Sequence, residues 1–144
     1  MKKTLLLSAG LSLSLLALPA AAVGVDNGQL QPPPSAPRAV SSQVAPDHRA
    51  WIAPFVVQGN PEVYFERLVQ VVAAQPRVRI LSRQPGYVHA EFTTPLMRFK
   101  DDVEFLLSAD GRRVDVRSAS RIGYYDFNTN RERIESLRLQ MAVR

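Results

Sequence analysis

Apolar and polar positions alternate in four stretches across the second half of the chain, and each alternation predicts a half-buried β-strand. The longest is Arg113 to Ile122, with Val114, Val116, Ser118, Ser120 and Ile122 on one side and Arg113, Asp115, Arg117, Ala119 and Arg121 on the other. Val78–Arg83, Tyr87–Thr94 and Asp102–Ser108 give the other three. Gln84-Pro85-Gly86 reads as a three-residue hairpin loop with Gly86 left-handed, facing Ile80 with Ala90 and Val78 with Phe92. Asp110-Gly111 marks a tight turn, which places Phe105 opposite Val116, Leu107 opposite Val114 and Glu104 opposite Arg117, with Asp102 diagonal to Arg117 and Arg121.

Helical spacing flanks the strands. Asn60-Pro61-Glu62 opens a helix in the usual order of cap, proline and first-turn acid; Val63, Tyr64, Leu68, Val71 and Val72 form its stripe, and it stops before Pro76. A second helix starts near Asn130, the expected N-cap, and carries Ile134, Leu137 and Met141. Trp51–Val57, broken by Pro54, reads as an irregular or edge strand. The expected fold is α+β: a four-stranded antiparallel meander with a helix before it and a helix after it, both packed on one face. His89, Glu91, Asp102, Glu104, Asp115, Arg117 and Arg121 would then form a charged surface on the other face.

The N-terminal third breaks this pattern. Met1 to Ala22 holds two lysines, an apolar run from Leu5 to Leu18 and three alanines, the layout of a cleaved secretory signal peptide. Cleavage near Ala22 would deliver a periplasmic or secreted chain of 122 residues, one domain in length. Residues 23–46, with Pro32-Pro33-Pro34, Pro37 and Pro46, have the composition of a disordered linker, so the domain is expected to span 47–144. Without Lys2 and Lys3, Lys+Arg falls from 18 to 16 against 13 acids, and the net charge from +5 to +3. That excess is modest, and the aromatics do not interleave with basic residues, so nucleic acid is not an expected partner. The absence of cysteine excludes a disulfide framework and a thiol nucleophile.

Three strings bring in a family. Tyr87-Val88-His89-Ala90-Glu91, Phe99-Lys100-Asp101-Asp102-Val103-Glu104-Phe105, and Arg117-Ser118-Ala119-Ser120-Arg121-Ile122-Gly123 through Asn130-Arg131 resemble the domain of unknown function 1499 family, from about Ala39 to Leu137. The resemblance implies an exported or membrane-associated bacterial protein and no particular activity. Where the family commonly has Asp-Leu-Gly-Val-Asn, this chain has Asp126-Phe127-Asn128-Thr129-Asn130, and asparagine accepts a positive φ better than other non-glycine residues.

The candidate chemistry is polar and undecided. Arg117, Arg121, Arg131 and Arg133 could gather a carboxylate or phosphate beside a helix N-terminus, or could pair internally with Glu104, Asp102 and Asp126. Ser118 and Ser120, with His89, Asp126 and Asn130, complete the candidate ligand-binding set. A hydrolase triad of serine, His89 and Asp126 is disfavoured, because the serines and His89 belong to opposite faces and no Gly-x-Ser-x-Gly elbow exists. Asp101-Asp102-x-Glu104 lacks the glycine and spacing of a calcium loop, and two histidines, His48 and His89, do not make a zinc site. No catalytic residue, metal or cofactor is therefore assigned. The first expectation is a non-enzymatic exported module that binds a partner protein or an envelope component, with possible peripheral membrane contact. A binder of small anions or lipid headgroups through the arginines comes second, and an enzyme of unknown chemistry third.

Overall fold

The structure, a computed structural model, describes residues 22–143. The proposed leader falls on residues outside the described ones, apart from Ala22. The elements in chain order are β1 (Val25–Asp26), β2 (Gln29–Leu30), β3 (Ala39–Ser41), β4 (Phe55–Val56), α1 (Pro61–Ala73), β5 (Val78–Gln84), β6 (Tyr87–Thr93), β7 (Lys100–Leu107), β8 (Arg113–Ser120) and α2 (Thr129–Ala142). Among the described residues no helix is long and apolar enough to cross a membrane.

The α+β class and the meander β5-β6-β7-β8 match the expectation, but the sheet has six strands, not four. Beyond β8, its outer edge is shared by two short strands: β3 pairs with Arg117–Ala119 and β4 with Arg113–Val114. The reason is that β8 has eight residues whose outer N–H and C=O groups would otherwise lie open as a long edge. Between β3 and β4, Ile52 N donates to the Ser41 carbonyl at 3.1 Å, which keeps the two segments in line.

The β7–β8 register is as predicted, with Glu104 opposite Arg117 and Phe105 opposite Val116. In the β5–β6 hairpin the far half is also as predicted, Ile80 opposite Ala90 and Val78 opposite Phe92. The turn is shorter, since Gln84 pairs with Tyr87 around Pro85-Gly86, and a bulge between Ile80 and Ser82 absorbs the extra residue. Gly86 has φ 72° and Gly111 φ 68°; at Gly111 an added Cβ would also lie 2.8 Å from Pro61 Cγ, so that turn packs directly on the start of α1.

Asn60 caps α1 by accepting from Val63 N at 3.0 Å. The buried stripe of α1 is Phe65, Leu68, Val69 and Val72; of the expected stripe, Leu68 and Val72 are buried and Tyr64 and Val71 pack against the core, while Val63 is exposed and Phe65 and Val69 were missed. In α2, Ile134, Leu137 and Met141 are buried as expected, but the helix begins at Thr129 and Asn130 lies inside its first turn. Asp126 does the capping, accepting from Asn128 N and Asn130 N at 3.2 Å each. These stripes close on Val88, Ala90, Phe92, Val103, Phe105, Val114 and Val116 to form the core.

Two further expectations fail together. Residues 23–46 are not a detached linker, since β3 is a sheet strand and Leu30 and Val40 are buried. Nor is the charged face of the sheet a surface: β2 lies against β7 and β8, and His89, Glu91, Asp102, Glu104, Asp115 and Arg117 are all buried.

Candidate functional site

The predicted site residues fall into two groups on opposite faces of the sheet. The first group lies under the N-terminal segment. Arg117 and Glu104, both fully buried, pair at 3.0 Å through Arg117 Nη1 and Glu104 Oε2. The other Glu104 oxygen accepts from the Tyr87 hydroxyl at 2.8 Å and from Gly24 N at 2.6 Å. Burial, with the Glu104 charge and hydrogen bond, pushes the Tyr87 phenol well above its ordinary value.

Beside this pair, Arg121 grips Asp102 with two hydrogen bonds of 2.9 and 2.7 Å and donates to Glu91 at 2.7 Å, while His89 Nε2 lies 2.7 Å from Asp102. Burial works to raise the Asp102 carboxyl, yet its hydrogen bonds with His89 and Arg121 and the guanidinium charge hold it far below the usual carboxylate range. Glu91 is likewise held down, against burial, by Lys100 and Arg121. Asp115 ties the cover to the sheet, accepting from Ser42 Oγ and Gln43 Nε2 at 3.0 Å each.

The second group sits between the sheet and α2. Asn130 is buried and central: it accepts from Ser118 Oγ at 2.6 Å and from Arg133 Nη1 at 2.7 Å, and donates to Ser120 Oγ at 3.0 Å and Asp126 Oδ2 at 2.7 Å. Arg133 also pairs with Asp101 and lies over the Phe92 ring, 4.8 Å from its centroid. Arg131 joins neither group; it donates to the Trp51 carbonyl at 2.7 Å. The four arginines thus do not form one anion pocket, because each faces a different set of internal acceptors. The serines and His89 lie on opposite faces, as the register required. Among the described residues no three His, Asp or Glu side chains converge as metal ligands.

One place where polar groups lie beside an apolar, solvent-open rim is an end of the sheet that the candidate set only borders. The β6–β7 connection, 94–99, and the β8–α2 connection, 121–128, flank a cleft of about 250 Å³. Leu96 is 91%, Phe127 80% and Met97 69% exposed, so the rim is apolar and wet. The floor is polar, made of Asp101, Ser120 and Asp126. Asp101 is fully buried, and its Oδ1, unlike the Oδ2 that meets Arg133, has no hydrogen-bond partner among the described residues.

Phe127 has φ 53° and Asn128 φ 64°. The asparagine was expected there; a phenylalanine in that conformation is strained, and strain of this kind concentrates where function over-determines the backbone. Edge-to-face contact with Tyr125, centroids 5.1 Å apart, holds its ring. Sequence reasoning passed over Leu96, Met97, Asp101 and Phe127 as site residues. The signal was available: apolar residues sit inside two connections that have no strand or helix to bury them.

Comparison with known proteins yields one match. No curated protein and no solved structure matches the chain significantly. A family model described as "Protein of unknown function (DUF1499)" matches residues 29–141, from β2 to nearly the end of α2. The chain belongs to the DUF1499 family.

Proposed function

We propose that this protein is an exported, non-enzymatic binding module of the bacterial envelope, and that it binds through the cleft between 94–99 and 121–128. The observation that carries this is an apolar, exposed rim set over a buried floor in which Asp101 Oδ1 accepts from none of the described residues. A buried acceptor without a donor is costly, and a ligand that brings an apolar body and one hydrogen-bond donor relieves it. The polar clusters argue against hydrolysis: Ser118 and Ser120 are engaged with Asn130, and His89 with Asp102 on the other face. They also argue against an anion pocket at Arg117, whose charge is matched by Glu104 inside the protein. The exported location rests on the leader composition of Met1–Ala22.

Benzyl alcohol and benzyl methyl ether make a direct test, since they differ in the donor. In an NMR titration, benzyl alcohol is expected to shift the amides of Met97, Asp101, Tyr125 and Phe127 and to bind at least several-fold more tightly than the ether. Equal binding of the two, or shifts that avoid these residues, would defeat the proposal.

A further inference from the structure

We infer that the open end of the sheet docks on an anionic phospholipid bilayer, with Leu96, Met97 and Phe127 entering the apolar layer and a basic groove beside them taking lipid phosphates. This rests on the reading of that end as the binding surface, and it adds a partner of definite chemistry.

Two independent features meet there. The first is apolar. Six large exposed hydrophobic residues, Leu96, Met97, Ile122, Tyr124, Tyr125 and Phe127, come from the two connections at this end. The turns at the opposite end, Pro85-Gly86 and Ser108–Arg112, contribute no such residue. Aliphatic tips with tyrosines behind them have the amphipathic layering of a membrane interface, where aromatic rings sit at headgroup level.

The second feature is charge. On the charged-face side of the same β6–β7 connection, Arg77, Arg79, Arg98 and Lys100 line a groove of about 290 Å³ with Glu91 as its one carboxylate. Glu91 is shared by Lys100 at 3.2 Å, Arg79 at 3.3 Å and Arg121 at 2.7 Å, so it cannot neutralise the group. Arg98 and Arg77 have no carboxylate partner among the described residues; Arg77 Nε donates only to the Thr93 carbonyl, at 3.2 Å. Arg98 follows Met97 directly, so a groove cation and an insertion residue are neighbours in the chain.

A soluble anion would use the groove and leave the apolar tips unexplained, and an apolar ligand would use the cleft and leave the unmatched cations unexplained. A surface that is hydrocarbon inside and phosphate at its boundary uses both. Anionic lipid attracts each nearby basic side chain enough that reversing one changes affinity by about five-fold or more.

The test is co-sedimentation of the chain from Val23 onward, which holds every strand and helix of the described residues, with vesicles of phosphatidylglycerol and phosphatidylethanolamine, and with vesicles of phosphatidylcholine alone. Binding is expected on the anionic vesicles and not on the neutral ones, weakening as salt rises. It should be lost in Leu96→Ser/Met97→Ser/Phe127→Ser and fall at least ten-fold in Arg77→Glu/Arg98→Glu, both on exposed positions, with circular dichroism confirming the fold. No binding to anionic vesicles, equal binding to both vesicle types, or a serine variant that binds like the parent would overturn the inference. So would inorganic phosphate competing fully at millimolar concentration, since a groove filled by the free ion needs no bilayer. If benzyl alcohol still binds the cleft while vesicles do not, the membrane inference fails and the binding module stands; if vesicles bind and benzyl alcohol does not, the cleft reading fails instead.

Discussion

The two faces of the sheet bury themselves by different means. On one, Val88, Val103, Phe105 and Val116 meet the stripes of α1 and α2, and burial of apolar area stabilises the contact without regard to direction. On the other, Glu104, Arg117, Asp102 and His89 are removed from water almost as completely, beneath a cover whose large buried apolar side chain, among the described residues, is Leu30. That face holds because opposite charges stand in register across the strands and because a backbone group of the cover joins them, Gly24 N on Glu104, although Arg117 Nε and Nη2 meet no acceptor among the described residues. A face of this kind has high stakes: satisfied it fixes one arrangement, and broken at one partner it strands a buried charge.

Breaking the pair is expected to have the largest effect. Glu104→Ala should destabilise by about 3 to 5 kcal/mol in urea unfolding, as much as truncating its apolar neighbour Phe105, and Glu104→Leu/Arg117→Met should recover most of the loss. A loss below about 1 kcal/mol would mean that water reaches Arg117 and that the two faces are not equivalent in burial. Leu30→Ala probes the cover itself. Its expected cost, about 2 to 3 kcal/mol, is a core value in a segment whose composition reads as linker. Were the variant as stable as the parent, the cover would be loosely held.

Acid sharpens the contrast at a smaller scale. The Asp102 carboxyl is depressed in the folded protein, so the stability it lends is fully present above its unfolded value of about 4 and is withdrawn as pH falls below that. Asp102→Asn should therefore flatten the acid limb of a melting-temperature profile, by on the order of 2 kcal/mol between pH 5 and pH 2. The apolar contacts of Val88, Val103, Phe105 and Val116 involve no carboxyl group, and an unchanged limb in Asp102→Asn would place the acid sensitivity elsewhere.

Much of the fold was legible because local chemistry and tertiary structure agree. Gly86 and Gly111 need positive φ, Asn60-Pro61 starts α1, and alternation sets the faces of four strands, so the meander and its register follow. What was not legible is what the sequence leaves without a period. Three residues, Ala39–Ser41, are too short to show alternation, and their role is fixed by the open edge of β8. Charged residues were taken as solvated because nothing in a strand pattern states what will cover it. Of the candidate site, pairing of Glu104 with Arg117 and of Asp102 with Arg121 was readable from the turn, as was the separation of His89 from the serines. The central place of Asn130 was not, since a cap asparagine and a buried one look alike in sequence. The open end was missed because an apolar residue in a connection ordinarily finds a core to join, and Leu96 and Phe127 do not.

The contact between Gly24 and Glu104 joins residues 80 apart, and β3 reaches across a similar distance to β8. Closure of such separations is entropically expensive and slow, so the first strands of the chain are the last to find their places. For a polypeptide that emerges amino end first, the β1–β2 hairpin can pair with itself, but β3 has no sheet partner until residue 119 has followed. The prolines between β2 and β3 suit that interval: they keep the waiting segment from extending into a helix or a longer strand, and so leave it available to shut the charged face once β7 and β8 have formed.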